Sequence, residues 1–199
     1  ESVTIWKDVP GMLNADPKWF DNTIKLESIS FKEAIELAYY GASVIHPKTI
    51  KPLQNKKIPL YVKSFIEPLA AGTVIQECTN NDHLVPSFIF KMEQVLFSFT
   101  PKDFSFIVEE NLSDIFKRLS TMNAKINVMQ NSALDFSILL DRKKVDPKKL
   151  TALFEDNYIV KYNEGLELVT IRHYDQATID RVIVDKEILL QQKTVMSVV

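Results

Sequence analysis

The residue types able to carry chemistry are few in this chain, and they stand apart from one another. The three histidines, His46, His83 and His173, are scattered, and no Cys or His falls at metal-ligand spacing. A single cysteine, Cys78, excludes an intramolecular disulfide and fits a reducing, cytoplasmic setting. The four glycines, Gly11, Gly41, Gly72 and Gly165, are isolated, so these residues cannot build a Gly-rich loop of the Walker or dinucleotide type. Asp8 and Asp16 lie among turn formers and, taken alone, read as residues that bond their own loop backbone. His46 precedes Pro47 with no carboxylate or nucleophile at a recognisable spacing, which predicts a structural role rather than proton transfer. Trp6 and Trp19 read as packing residues.

The elements that must position these groups follow from periodicity and turn chemistry. A β-branched and aromatic run at 3–6 predicts a strand, and Asp8, Pro10, Gly11, Asn14, Asp16 and Pro17 then predict a long loop. Ser30-Phe31-Lys32-Glu33 has the form of a capping box, in which serine and glutamate side chains each satisfy the other's backbone amide. A helix over 31–40 follows, with Ala34, Leu37 and Ala38 on its apolar face and Gly41 as its left-handed cap. A short helix after His46-Pro47 and a strand at 60–66 complete an α/β layer.

The polar run 76–86 reads as a domain boundary. Beyond it, 95–99 alternates Val, Phe and Phe, and Leu112, Ile115, Phe116, Leu119 and Met122 trace one helical face. Strands at 126–129 and 135–140, a helix opened by Asp146-Pro147 and a strand at 158–161 give the order β-α-β-β-α-β, a ferredoxin-like arrangement. A shortened copy is expected to follow: a strand at 166–172, a helix at 176–183 and a closing hairpin of 187–192 with 195–199.

With 199 residues, 46% hydrophobic and 25% charged, the chain can bury a sizeable core in one large domain or two small ones. Its 24 basic and 26 acidic residues leave a net charge of -2 without a long run of one sign, so neither nucleic acid nor an anionic membrane is an expected partner. The longest apolar stretches are strand-sized, far short of the about 20 residues that span a bilayer. Residue 1 is Glu rather than Met and no targeting pattern follows, so the chain is expected to begin inside a longer protein.

The run from Lys7 to Pro17, Lys-Asp-Val-Pro-Gly-Met-Leu-Asn-Ala-Asp-Pro, closely resembles the aspartokinase segment in which a strand end reads Thr-Asp-Val-x-Gly-Ile-Tyr and closes on Asp-Pro-Arg. Tyr40-Gly41-Ala42-Ser43-Val44-Ile45-His46-Pro47-Lys48-Thr49 is similar to that family's Phe-Gly-Ala-Lys-Val-Leu-His-Pro-Arg-Thr. Ile58-Pro59-Leu60-Tyr61-Val62-Lys63 and Ala71-Gly72-Thr73-Val74-Ile75 resemble the end of its kinase domain, and the likeness continues at 123–132 and at Glu164-Gly165-Leu166.

The resemblance implies the end of an amino acid kinase α/β sandwich in 1–86, a first ferredoxin-like ACT unit in 87–164 and a second, shortened one in 165–199. It implies ATP-dependent phosphorylation of L-aspartate, with Mg-ATP as cofactor, in the lysine, threonine and methionine pathway. Lys7, Asp8, Leu13, Asp16, Lys18 and Ser43 are then expected on the nucleotide side. Lys18 could steady a polyphosphate, and a turn held by Pro10, Gly11 and Pro17 could bring backbone close to the base.

Two departures bear on nucleotide affinity. Ser43 stands where many members have a lysine, and Lys18 lacks the bidentate fork of the usual arginine. The phosphate motif and the aspartate-binding residues fall outside these residues, so no catalytic residue is assigned and no kinase activity is expected of this chain alone. The resemblance further implies a feedback effector, threonine or lysine, on Lys125, Ile126, Asn127, Asn131 and Ser132, and a homodimer through the ACT units. Asn127 stands where the lysine-sensitive pattern often has aspartate, which favours threonine. A stand-alone amino-acid-binding module without kinase activity is the second reading.

Overall fold

The computed structural model describes residues 1–42, 44–77 and 82–199; Ser43, Cys78 and the run 79–81 lie outside the described residues. The chain forms two compact units, one of residues 1–90 with 169–199 and one of residues 91–168.

The first unit holds a four-stranded sheet. Strands β1 (Val3–Lys7), β2 (Ser28–Ser30), β3 (Leu60–Ser64) and β4 (Thr73–Gln76) lie in the order β1-β3-β4-β2. β1 pairs with β3 and β2 with β4 in parallel, while β3 and β4 are antiparallel. Gly72, at φ 73°, makes the turn before β4, and β-branched Thr73, Val74 and Ile75 continue into the sheet. Helices α1 (Phe31–Tyr40) and α2 (Pro47–Asn55) accompany these strands. Phe31, Ala34 and Leu37 bury one face of α1 in a core with Ile29, Leu60, Val62 and Ile75.

Only half of the expected capping box forms. Ser30 Oγ accepts from the Glu33 amide at 3.0 Å, but the Ser30 amide donates to Asp82 Oδ1 at 2.8 Å. Glu33 instead faces inward, 4% exposed, toward a charged partner described below. At the other end Gly41, at φ 124°, donates its amide to the Leu37 carbonyl. His46 caps α2 through Nδ1, which accepts from the Lys48 amide at 3.1 Å, so it has the structural role expected of it.

The second unit has the element order β-α-β-β-α-β: β5 (Ser87–Pro101), α3 (Glu109–Thr121), β6 (Ile126–Asn131), β7 (Phe136–Asp141), α4 (Pro147–Phe154) and β8 (Tyr158–Arg172). Its strands lie in the order β6-β7-β5-β8, the ferredoxin-like arrangement. Val95, Phe97 and Phe99 alternate into a core closed by Ile115 and Leu119 of α3 and Leu150 and Phe154 of α4. Asp146 caps α4 by accepting from the Lys148 amide, with Pro147 in the first turn.

The continuation differs from expectation. The strands expected at 158–161 and 166–172 are one strand of 15 residues, β8, within which Gly165 adopts φ 73°. Helix α5 (Gln176–Val182) follows. The stretch 187–192 is not a strand. Instead Ser197–Val198 forms a short β9 against β8, and Gln192 and Val199 exchange backbone hydrogen bonds. Ile171, Ile179 and Val198 share a small core with Ala15, Phe20 and Phe88, so 169–199 forms no separate body but completes the first unit.

Candidate functional site

The loop between β1 and β2 carries the residues expected on the nucleotide side. It begins at the carboxyl end of a parallel strand, where open α/β sheets place ligands. The loop folds back on itself: Asn14 donates its amide to the Ile24 carbonyl and Leu26 donates its own to Met12. Thr73 clamps this hairpin, its hydroxyl accepting from the Met12 amide at 2.8 Å and donating to the Leu26 carbonyl at 2.6 Å.

Close approach forces two glycines here. A Cβ on Gly11 would lie 2.5 Å from Thr73 Oγ1, and one on Gly72, whose φ is 73°, would run into the Val62 carbonyl oxygen. Buried Asn14 fixes the far side, accepting from the Ile24 amide through Oδ1 and donating through Nδ2 to the Pro86 carbonyl.

Within this loop the expected residues divide. Asp16 makes a local turn, with Oδ1 accepting from the Lys18 amide at 2.9 Å and its carbonyl accepting from the Trp19 amide. Leu13 bridges to Lys25. Half-buried Lys7 and exposed Asp8 and Lys18 offer side chains that make no hydrogen bond or ion pair among the described residues. Ser43 lies outside the described residues. Asn14 and Thr73, which set the loop's shape, were not singled out as site residues; no motif marks either one, because their partners lie up to 72 residues away.

The second candidate lies on β6 in the second unit. Asn127 is the centre of a polar cluster there. Its Oδ1 accepts from Lys91 Nζ at 2.9 Å, and its Nδ2 donates to Gln94 Oε1 at 2.8 Å and Asp141 Oδ1 at 3.0 Å. Gln94, 1% exposed, also donates to Asp141, and Lys144 pairs with Asp141 at 3.0 Å.

Burial alone would raise the Asp141 carboxyl, but the hydrogen bonds from Gln94, Lys144 and Asn127 outweigh it and hold the group at about 2. Lys91 is lowered by burial; Asp141 opposes that shift, while Lys125 and Lys144 add to it. A cationic ligand side chain at Asn127 would therefore meet a carboxylate already paired with Lys144 and an amide oxygen already taken by Lys91.

Asn131 and Ser132 stand at the other end of β6. Ser132 closes a turn, its hydroxyl donating to the Asp135 carbonyl and accepting from the Asp135 amide. At about 3.3 Å per residue, Asn127 and Ser132 are roughly 16 Å apart along the strand. One chain thus gathers Lys125, Ile126 and Asn127 at one end of β6 and Asn131 and Ser132 at the other, and one small amino acid cannot touch both groups.

A sheet with a closed, glycine-dependent loop at the end of its first parallel strand, followed in the chain by a ferredoxin-like unit, matches a known class of enzyme. The sequence profile of the amino acid kinase family matches residues 1–64. The relatives that the chain matches are aspartokinases. It is 32% identical over 168 residues to a bifunctional aspartokinase/homoserine dehydrogenase of Buchnera aphidicola, covering 81% of this chain and 20% of the relative. It is 31% identical over 177 residues to the lysine-sensitive aspartokinase 3 of Escherichia coli, covering 85% of this chain and 39% of the relative.

The chain thus spans between a fifth and two fifths of these relatives. Its fold resembles an aspartate kinase of Clostridium acetobutylicum, with a TM-score of 0.83 at 20% identity over 98% of this chain and 49% of that one. It also resembles E. coli aspartokinase III in complex with lysine and aspartate, with a TM-score of 0.78 at 24% identity over 100% of this chain and 48% of that one. Among the described residues no helix is long and apolar enough to cross a membrane.

Proposed function

We propose that these residues form the nucleotide-side end of an aspartokinase domain followed by an ACT-type sensing region. The parent enzyme transfers a phosphoryl group from Mg-ATP to the side-chain carboxylate of L-aspartate, giving 4-phospho-L-aspartate. The observation that carries this reading is the loop after β1: Gly11 and Thr73 fix its backbone while Lys7, Asp8 and Lys18 keep their side chains unengaged. Lys7 at the carboxyl end of a parallel strand and Lys18 in the loop that follows, neither in an ion pair among the described residues, suit a polyphosphate.

Trp19 adjoins Lys18 and is half exposed, so its fluorescence reports on this loop. Titration with Mg-ATP should change it, and Lys18→Ala should weaken the response severalfold; a chain whose tryptophan emission ignores millimolar Mg-ATP overturns the reading. The chain alone should not phosphorylate aspartate, since its four isolated glycines build no phosphate cradle. Aspartate-dependent ADP release by the purified chain counts against that expectation.

Feedback control belongs to the same proposal. β6 is an edge strand of its sheet in the second unit. Antiparallel pairing with the β6 of a second copy would set the Asn127 end of one strand against the Asn131–Ser132 end of the other, reuniting two groups that one chain keeps roughly 16 Å apart. An amino acid could then sit between copies. Threonine is the favoured effector, because Lys144 already pairs with the Asp141 carboxylate and Lys91 already takes the Asn127 amide oxygen that a lysine side chain would need.

A further inference from the structure

The first unit contains a polar cavity of about 610 Å³ that shares no residue with the sites above. Its wall carries Lys32, Glu36 and Tyr40 of α1, Arg172 and His173 at the end of β8, and the turn before β9. At its base is a buried ion pair. Arg172, 6% exposed, donates through Nε to Glu33 Oε1 at 3.1 Å and through Nη2 to Glu33 Oε2 at 2.6 Å. Burial works to lower the guanidinium, but the carboxylates of Glu33 and Glu36 outweigh it and raise the group above its ordinary value.

Two features make this cavity more than a cluster of charges. The His173 side chain is 7% exposed, and its Nε2 has no hydrogen-bond partner although it lies 3.1 Å from Glu33 Oε2. Buried polar nitrogens in this state are rare, because each costs the desolvation of an unmade hydrogen bond. Among the described residues, Glu36, whose side chain is 36% exposed, is held by one long contact of 3.4 Å to Arg172 Nη1.

The corner therefore presents the Glu33 and Glu36 carboxylates, which accept, beside His173 Nε2, which accepts when the ring proton is on Nδ1, while the guanidinium that could have bound an anion is already engaged. What fits is a compact cation with several N–H donors. We propose that this cavity binds an organic ammonium group, donated to His173 Nε2 and the Glu36 carboxylate. The ammonium could come from an amine or from an α-amino acid, and exposed Lys32 on the same wall offers a partner to the carboxylate that only the amino acid has.

The histidines provide a direct readout, since there are only three and single substitutions assign their ring signals. Cadaverine, lysine and, as a neutral control, 1-pentanol should be titrated into 15N-labelled protein. A saturable shift of the His173 ring signal with cadaverine or lysine, absent with pentanol, supports the site. Glu36→Gln should weaken that binding at least tenfold, whereas Asn127→Ala should leave it unchanged. Lysine binding more tightly than cadaverine, with the advantage lost in Lys32→Met, identifies an amino acid; equal binding identifies an amine. An unmoved His173 signal, or a shift that pentanol reproduces or Glu36→Gln preserves, overturns the proposal.

Discussion

At the scale of single residues, the side chains that matter most are those whose neighbours leave no alternative. Gly72 is the sharpest case: any Cβ meets the Val62 carbonyl and must also accept φ 73°, so Gly72→Ala should cost several kcal/mol and loosen the Thr73 clamp. Urea unfolding measures the loss, and a cost below about 1 kcal/mol would show that the turn relaxes freely. Asn127 is over-determined in a different way. Removing its amide strands the Lys91 ammonium and buried Gln94 together, which predicts a loss of about 1–3 kcal/mol for Asn127→Ala before any ligand is considered.

Effector affinity should fall about tenfold in the same variant, and calorimetry with threonine and lysine separates the two effects. Asp141 adds a pH dependence. Its folded value of about 2 lies below the unfolded 3.8, so it stabilises above roughly pH 4, and that stability is lost as pH falls through about 2. Because the group is partly exposed, about 1 kcal/mol is the expected size after screening, and Asp141→Asn should flatten the stability profile across that window.

At the scale of elements, the ion pair between α1 and the end of β8 is the main test. Glu33→Gln leaves Arg172 buried without its carboxylate and should cost about 3–5 kcal/mol, whereas replacing both by Met should recover much of the loss. A double variant as unstable as the single one would show that the pair contributes net stability.

This contact also marks where sequence reading ends. The helix at 31–40 was legible in its apolar spacing, in Ser30 and in Gly41, and the ferredoxin-like order was legible in the alternation of Val95, Phe97 and Phe99. Glu33 was misread as a capping partner, because its position three residues after Ser30 is local information while Arg172 is 139 residues away. The sequence reading places two strands, 158–161 and 166–172, where β8 runs without a break, because local patterning does not show that Gly165 can pass through φ 73° inside a strand. The nucleotide-side loop was found through its turn residues, yet Thr73 and Asn14, which shape it, act through the backbone of distant segments and leave no pattern.

At the scale of the whole molecule, the position of β6 at the edge of its sheet predicts self-association. Sedimentation at micromolar concentration should show a dimer, and a proline at Met129, in the middle of β6, should shift it toward monomer. A wild-type chain that sediments as a monomer counts against the paired-strand reading. The division of the chain has another consequence, which concerns the order of its birth. The 91–168 unit is contiguous, whereas the first unit needs Ile171, Ile179 and Val198 to finish a core begun by Ala15 and Phe20. During synthesis residues 91–168 can reach their final structure while residues 1–90 still wait for 169–199 to emerge, so of these two units the one begun first is the one completed last.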